Sequence, residues 1–465
     1  MAAPDMPKPT PFGKPMRELF PFAPTYRNLN HGSYGTHPSA VGDARAKLLA
    51  DHEARIEIYK RIESPRLVLE SRKALIPLLG KDVALNEVVF VANASTGVNV
   101  VLRNLAPRWS APAPDQGDAV LYFTTIYGAC DKTLQSLAED GRLHPVEIPA
   151  SFPDDDDDSL VQKLRDAHAA ATKRGLVVRL ALFDTIVSAP GVLLPWERLT
   201  AACRELGILS LVDGAHGIGH LDLTHLGEVG PDFLVSNLHK WLFVPRGCAM
   251  LYVPFRNQHL LATSLPTSFG YEPAAVRCRR QIDQKTPQEL AAAATTYFTE
   301  LFAETGTVDY TPWMCVPAAV RFRNDACGGE EAIRAYCFGL ARAGSDRVAA
   351  LLGTEVMDNP RSNIRACAMN NVRLPFKVVS GDSADADAAD PEAVPLDQFG
   401  AMHEWLTQYA AEKYDAYFRI TYYNGHPWVR LSAQVYNDAD DFEWAGQALL
   451  DLVDQVKKGS WKKVA

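Results

Sequence analysis

The sequence lacks clustered cysteines, long apolar segments and any surplus of positive charge, and each absence excludes a class of protein. Its eight cysteines are scattered without a CxxC pair, so neither a zinc site nor a disulfide framework is expected. No apolar run approaches the roughly 20 residues that a membrane-spanning helix needs. The N-terminus, Met1 to Pro15, lacks the apolar core of a signal peptide. We therefore predict a cytoplasmic protein with free thiols and no membrane association.

The charge balance argues against nucleic acid as a partner. The chain carries 47 lysines and arginines against 56 aspartates and glutamates, which gives a net charge of −9. A mildly acidic protein does not attract phosphate backbones over a broad surface. Any anion that it binds must therefore be held by a few local groups, which suits a small-molecule ligand.

Short apolar runs alternate with helical stretches through the middle of the chain. The runs are Val88–Val91, Ala119–Phe123, Val177–Phe183, Ile208–Val212, Phe233–Val235 and Cys248–Val253. Continuous apolar strands between helices indicate an α/β fold with a mainly parallel sheet that is covered on both faces. The last third of the chain predicts a smaller α+β domain. We divide the chain into an N-terminal arm and motif (1–45), a large domain (46–350) and a small C-terminal domain (351–465).

Three further segments have local predictions. The pattern from Val41 to about Leu79 predicts a long helix. The acidic run Asp154–Asp158 and the Asp/Ala-rich insert at residues 380–392 are predicted to be solvated loops.

A turn with small hydroxyl residues follows the first predicted strand. It reads Asn93-Ala94-Ser95-Thr96-Gly97 and opens a helix. Backbone N–H groups at such a helix start can bind phosphate. Taken alone, the pattern is more typical of an ordinary helix cap.

Two successive predicted strands end in residues that carry chemistry. The first ends at Asp213, with His216 shortly after it, and the second is followed by Asn237, His239 and Lys240. Ligands of open α/β sheets bind outside the carboxyl ends of the strands, so both ends should face one crevice. Pyridoxal phosphate needs a carboxylate that keeps its pyridine nitrogen protonated and a lysine that forms the imine. Asp213 and Lys240 together predict such a site, although either one alone would not.

Five motifs in a fixed order carry a resemblance to a known family. They are Asn30-His31-Gly32-Ser33-Tyr34-Gly35, Asn93-Ala94-Ser95-Thr96-Gly97, Ser236-Asn237-Leu238-His239-Lys240-Trp241, Gly306-Thr307-Val308-Asp309-Tyr310 and Arg430-Leu431-Ser432-Ala433-Gln434-Val435-Tyr436-Asn437. With them the sequence is identified as a member of the class V aminotransferases, and it resembles the isopenicillin N epimerase-like branch. The resemblance covers nearly the whole chain. It implies fold type I with a seven-stranded sheet, and pyridoxal phosphate bound through Lys240.

The resemblance implies a role for each cofactor residue. Asp213 would pair with the pyridine nitrogen, His216 would lie near the phenolic oxygen, and Tyr127 would lie against the cofactor face. Thr307 resembles a residue that reaches the phosphate of the neighbouring subunit, which implies a homodimer with shared sites. The residues implied to contact the phosphate within one chain are Ser95, Thr96, Asn237 and His239.

The substrate side follows from the same resemblance. Arg430 would bind the α-carboxylate of an amino acid with two parallel hydrogen bonds, a geometry that guanidinium suits better than ammonium. His31 and Tyr34 are the other residues expected on this side.

The reaction type is left with three alternatives. Residues 400–430 contain no cysteine before Arg430, which disfavours the persulfide chemistry of cysteine desulfurases. The pattern is most similar to the fungal carbon–sulfur lyases of ergothioneine biosynthesis, in which Tyr127 would protonate the departing sulfur. An epimerase stays open, with His31 or Tyr34 as its second acid/base. A cofactor-free binding protein that kept the fold is the third alternative, against which the intact motifs argue.

Overall fold

A seven-stranded sheet forms the centre of the structure, which is a computed structural model that describes residues 7–282, 285–379 and 392–463. Its strands are β1 Val88–Val91, β2 Gly117–Phe123, β3 His144–Ile148, β4 Leu176–Asp184, β5 Leu209–Asp213, β6 Phe233–Asn237 and β7 Ala249–Tyr252. They lie in the order β1-β7-β6-β5-β4-β2-β3. β7 runs antiparallel to both of its neighbours, and all other neighbours pair in parallel. This confirms the predicted mainly parallel sheet.

Both faces of this sheet are buried. Val88 and Phe90 of β1 enter one apolar core cluster, whereas Val89 and Val91 enter another, because successive side chains of a strand point to opposite faces. Such burial explains why the strands read as continuous apolar runs. β3 was not predicted, because its sequence His-Pro-Val-Glu-Ile is polar and mostly half-buried, as suits an edge strand.

Helices surround the sheets. They are α1 Lys14–Arg17, α2 His31–Tyr34, α3 Ser39–Ala54, α4 Ile56–Ile58, α5 Ser64–Leu79, α6 Ala94–Leu105, α7 Gly128–Glu139, α8 Asp157–Lys173, α9 Trp196–Leu206, α10 Leu226–Val229, α11 Leu238–Trp241, α12 Phe255–Gln258, α13 Ala274–Arg279, α14 Pro287–Ala292, α15 Tyr297–Leu301, α16 Thr311–Met314, α17 Val316–Asp325, α18 Glu330–Leu352, α19 Phe399–Tyr414 and α20 Ala439–Lys457. Within the described ranges, none of these helices is long and apolar enough to cross a membrane.

A smaller sheet lies in the C-terminal part of the chain. Its region contains β8 Met369–Arg373, β9 Val378–Val379, β10 Val394–Pro395, β11 Arg419–Tyr423 and β12 His426–Ser432. β11, β12 and β8 form an antiparallel sheet in that order, and β9 pairs with β10. Helices α18 and α20 share its apolar core, which confirms the predicted α+β character. Leu29 joins the same core, and the division of the chain at residues 45 and 350 stays a prediction.

The long helix predicted from Val41 to Leu79 is wrong. The segment is divided into α3, α4 and α5, and α3 ends at Ala54, directly before Arg55, whose φ of −152° is far from helical. A π-helical turn then precedes Pro65 in the first turn of α5. Proline has no N–H to donate and its ring crowds the preceding turn, so regular α-helical hydrogen bonding is interrupted before Pro65.

The acidic run Asp154–Asp158 is not the solvated loop that its composition predicts. Asp155 is buried and accepts hydrogen bonds from the backbone of Ser151 (2.7 Å) and the ammonium group of Lys163 (2.6 Å). Asp156 caps α8, where an acidic oxygen satisfies free N–H groups. Residues 380–391 of the Asp/Ala-rich insert lie outside the described residues.

Candidate active site

Lys240 lies in a buried turn directly after β6. Its side chain is buried, and Nζ lies 3.3 Å from Nε2 of His216. Burial is the main cause that lowers the pKa of Lys240 to about 8; the charge of Asp213 opposes this shift and the charge of Arg430 adds to it. A sizeable fraction of the amine is therefore neutral near pH 8, which is the form that attacks a carbonyl.

Asp213 ends β5 on the same edge of the sheet. One carboxylate oxygen accepts the backbone N–H of Ala215 (3.0 Å), and the other accepts the thiol of Cys130 at 3.4 Å. Asp184 ends β4 in register with Asp213, and both are buried. Burial raises the pKa of both carboxyl groups, and the charge of Asp213 raises that of Asp184 further. A pair of buried acids suits a cationic ligand, such as a protonated pyridine nitrogen.

The proton on His216 is placed by its neighbour Trp241. The indole N–H of Trp241 donates to Nδ1 of His216 at 3.1 Å. An indole can only donate, so Nδ1 accepts and the proton of the neutral ring lies on Nε2, facing Lys240. Burial lowers the pKa of His216 well below its usual range, which keeps the ring neutral. His216 therefore presents one N–H donor to the site, as a phenolic oxygen requires.

His31 holds the backbone of the lysine turn. Nε2 of His31 lies 2.6 Å from the carbonyl of Lys240 and must donate to it, so Nδ1 accepts from the hydroxyl of Tyr436 at 2.9 Å. The ring is fully buried, and burial lowers its pKa to about 3. This geometry favours a positioning role for His31, because the predicted substrate contact would require one of these bonds to be exchanged. Tyr34 is 73% exposed.

An ion pair between the buried Arg323 and Glu330 stabilises the turn that contains Lys240. Arg323 is fully buried, pairs with Glu330 at 2.5–2.6 Å and donates to the carbonyls of Trp241 and Gly219 at 2.7 and 2.8 Å. Phe243, on which the guanidinium stacks, has a φ of 65°. Because a positive φ is unfavourable for a bulky residue, the surrounding contacts must hold this turn in place.

The start of α6 lies close to the lysine strand. Asn237, the last residue of β6, accepts the backbone N–H of Ala94 at 2.9 Å. Gly97 allows the approach, because a Cβ there would lie 2.5 Å from Val235. The helix N-terminus and Asn237 therefore border one place, where a phosphate group could be bound.

Ser95, Thr96 and His239 are the other residues predicted to contact the phosphate, and their environments differ. Ser95 and Thr96 are half-exposed in the first turn of α6, and the hydroxyl of Thr96 donates to Asn93 at 3.1 Å. Nδ1 of His239 donates to the carbonyl of Cys248 (2.9 Å), so Nε2 of the neutral ring can only accept. Burial lowers the pKa of His239 to about 4. Its predicted phosphate contact therefore requires the ring to take up a proton, which a phosphate dianion would favour.

Arg430 on β12 carries a buried positive charge. Nη1 donates to the carbonyl of Ser188 (2.5 Å), and Nη2 donates to Oδ1 of Asn30 (2.8 Å) and Oγ of Ser33 (2.9 Å). Nε is buried and has no partner among the described residues. Burial lowers the pKa of Arg430 to about 10, which still leaves it charged at neutral pH. Because its acceptors are all neutral, the charge suits an anionic ligand.

The structure brings five of the predicted site residues together, whereas Thr307 lies apart from them. These five, the lysine cluster, are His31, Asp213, His216, Lys240 and Arg430. Tyr127 lies directly before α7, the helix that carries Cys130, whose thiol contacts Asp213. The side chain of Tyr127 is 47% exposed.

Thr307 lies apart from the lysine cluster. It is exposed and lines a cavity of about 700 Å³, of whose lining it is the one predicted site residue. We call this region, with Tyr59, Thr307, Val308 and Trp313, the Thr307 face.

Cys130, Asp184 and Ser188 were missed by sequence reasoning. Asp184 could have been found, because it stands at a strand end as Asp213 does. Cys130 and Ser188 carry no comparable pattern, since their contacts depend on how α7 and the loop after β4 pack at the sheet edge.

Comparisons with known proteins identify the family and the fold. A family model described as aminotransferase class-V matches residues 38–373. The L-cysteine desulfhydrase-like protein lolT1 of Epichloe uncinata is 38% identical, over 96% of this chain and 97% of its own length. Hercynylcysteine sulfoxide lyase of Schizosaccharomyces pombe is 28% identical, over 95% of this chain and 98% of its own length. A mutant of C-DES with glycine covalently linked to its PLP cofactor aligns with a TM-score of 0.64 at 16% identity, over 94% and 99% of the two chains, which confirms the predicted fold.

Proposed function

This chain belongs to the class V aminotransferase family and is a pyridoxal-phosphate-dependent enzyme, and we propose that it cleaves the carbon–sulfur bond of a cysteine conjugate. The observation that carries the proposal is the lysine cluster, in which a buried amine with a lowered pKa lies near a buried carboxylate and a buried guanidinium. These are the groups that hold an α-amino acid and stabilise the carbanion formed from it.

Each residue of the cluster has a separate task. Bound pyridoxal phosphate supplies an electron sink for the substrate α-carbon. Nζ of Lys240 would hold the cofactor and then take the α-proton of the substrate, and Asp213 would keep the pyridine nitrogen protonated. The Nε2 proton of His216 would be donated to the phenolic oxygen, and Arg430 would bind the α-carboxylate.

Tyr127 is the proposed acid for the departing sulfur. Its half-exposed ring at the start of α7 leaves the hydroxyl accessible to a substrate side chain. Loss of the α-proton and the protonated sulfur group leaves a three-carbon enamine acid, which water converts to pyruvate and ammonia. Proton donation of this kind accelerates a step by about 10²–10⁴-fold.

The geometry of His31 favours a lyase over an epimerase. An epimerase needs a second acid/base on the opposite face of the substrate, and His31 was one of two candidates for that role. Both of its ring nitrogens are already hydrogen-bonded inside the protein. Tyr34 is left as the epimerase candidate.

The substrate is proposed from the relatives. One of them is named a hercynylcysteine sulfoxide lyase, and others are named cysteine desulfhydrases. We assign this chain a cysteine sulfoxide such as hercynylcysteine sulfoxide, which would place it in ergothioneine biosynthesis. Cysteine itself is the second candidate, because the relative lolT1, at 38% identity, is named an L-cysteine desulfhydrase-like protein.

A substrate series tests this function. The holoenzyme would be supplied with L-cysteine, cysteine S-conjugates and their sulfoxides, and pyruvate and the sulfur product would be measured. We expect one pyruvate for each sulfur product, fastest from a sulfoxide. Pyruvate mainly from cysteine would support the desulfhydrase, and an inverted amino acid without pyruvate would support the epimerase. An Arg430→Lys variant is the matched control for carboxylate recognition, since it keeps the charge and loses the paired geometry.

We further propose a cytoplasmic homodimer with shared sites. Exposed apolar side chains beside the Thr307 face support a partner surface there, namely Ile56, Ile58, Ile62 and Val308. The cytoplasmic location rests on the cysteines, all of which are free.

A further inference from the structure

We infer that Ser33 binds the substrate α-carboxylate and that Asn30 is the residue that positions Arg430 for it. The inference rests on the proposed function, because it needs an amino-acid substrate at Arg430. In the N-terminal motif, the residues that serve substrate recognition would then be Asn30 and Ser33, and not the predicted His31 and Tyr34.

The hydrogen bonds of Arg430 leave little of its guanidinium free. A guanidinium has five N–H groups, two of them on Nη2. Those two have acceptors in Asn30 Oδ1 at 2.8 Å and Ser33 Oγ at 2.9 Å. Nη1 donates to the carbonyl of Ser188, and the buried Nε–H has no partner among the described residues.

A carboxylate must therefore exchange one existing bond. It can bind in two-pronged fashion through Nε and Nη2, or through both Nη atoms. Either edge uses an N–H of Nη2, which Asn30 or Ser33 now accepts. The edge formed by Nε and Nη2 is favoured, because the N–H of Nε is buried and unpaired among the described residues. An unpaired buried donor is unfavourable, and a carboxylate oxygen would satisfy it.

Ser33 is the partner that can be exchanged without loss. Its hydroxyl accepts from Arg430 and donates to Oδ1 of Asn30 at 3.0 Å. A hydroxyl can reverse its direction, so Ser33 can turn and donate to an incoming carboxylate oxygen. Oδ1 of Asn30 can only accept and would repel that oxygen, so Asn30 keeps its N–H and fixes the guanidinium plane.

The motif also connects this carboxylate site to the lysine. Asn30 is the residue before α2, the helix that contains Ser33, and His31 of the same helix donates to the carbonyl of Lys240. Gly35 ends the helix with a φ of 64°, and a Cβ there would collide with the backbone of His239 and Lys240. One short segment therefore sets the distance between the group that holds the cofactor and the group that holds the carboxylate.

Two small probes isolate the carboxylate contact. Glycine has no sulfur group to lose, and methylamine is glycine without its carboxylate. Both are titrated into the holoenzyme while the absorbance of the bound cofactor is followed. For Ser33→Ala we expect about tenfold weaker glycine binding, as for one lost hydrogen bond to a charged group, and unchanged methylamine binding. Ser33→Thr keeps the hydroxyl and should restore glycine affinity, so the test does not depend on the alanine variant alone.

Asn30→Asp sharpens the test of the positioning residue. It keeps the side-chain shape but places a carboxylate against Arg430, so glycine affinity should fall at least 100-fold while methylamine affinity is kept. Ser39→Ala, an exposed serine at the start of α3, is the matched control and should change neither affinity.

The outcomes separate the two claims. If the wild-type enzyme binds glycine and Ser33→Ala binds it with the same affinity, the role of Ser33 is overturned and the proposed function stands. Equal losses for glycine and methylamine would show a general defect and would also overturn the role of Ser33. Wild type that responds to neither probe would overturn the proposed function, and this inference with it.

Discussion

The lysine cluster and the Thr307 face differ in how completely a single chain builds them. Within the cluster, His216, His31 and Asp213 already have hydrogen-bond partners that fix their rings or carboxylate. Thr307 is exposed and borders a cavity and exposed apolar side chains. The residues proposed to act at the α-carbon therefore already have partners within one chain, whereas the Thr307 face offers a surface that a second copy could complete.

The carboxylate of Asp213 should give the largest effect. Asp213→Asn keeps the shape and the Ala215 contact but loses the charge that keeps a pyridine nitrogen protonated. We expect cofactor to bind and α-proton removal to slow by orders of magnitude. Exchange of the substrate α-hydrogen in deuterium oxide measures this step directly, and near-normal exchange would contradict the role.

Tyr127→Phe tests the acid at the sulfur. The ring is kept and the proton is lost, so cofactor binding should persist while carbon–sulfur cleavage slows by about 10²–10⁴-fold. The rate should be compared for a sulfoxide and for a conjugate with a more acidic thiol, which needs less help. A change of only a few fold on the sulfoxide would reduce Tyr127 to a stacking ring.

A mixed dimer tests whether the Thr307 face is shared. Lys240→Ala and Thr307→Ala chains would be combined, each being impaired alone. If Thr307 serves the partner's site, one site of the heterodimer is intact, and about half of the wild-type activity should return. Verified heterodimers without recovery would leave Thr307 outside the active site.

Trp241→Phe should give the smallest effect and concerns the inside of the lysine cluster. The variant loses the indole N–H, the donor that holds His216 in the tautomer that carries its proton on Nε2. The pH at which the bound cofactor changes absorbance should therefore shift. We expect a loss of activity of about 2- to 10-fold, as for one hydrogen bond between neutral groups. An unchanged pH profile would show that the His216 tautomer is set by other contacts.

Asp213 and Lys240 could be predicted from the sequence, because the ends of neighbouring parallel strands share one edge of the sheet. The roles of His31, His216 and Arg430 were implied only by the family resemblance.

Asp184 ends β4 and could have been found by the same rule of strand ends, whereas the Cys130 contact could not, since it depends on how α7 packs against the end of β5. Likewise β3 could not be predicted, because its sequence is polar, as suits an edge strand. The break at Arg55 could not be predicted either, because the helical sequence pattern continues through it.

Chemical trapping of the cofactor on Lys240 tests the central claim most directly. Holoenzyme would be reduced with borohydride, digested, and searched by mass spectrometry for the lysine that carries the pyridoxyl group. We expect the label on Lys240, with attachment to apoenzyme accelerating as pH rises through about 8, where the buried amine loses its proton. Label on another lysine, or none at all, would contradict the account.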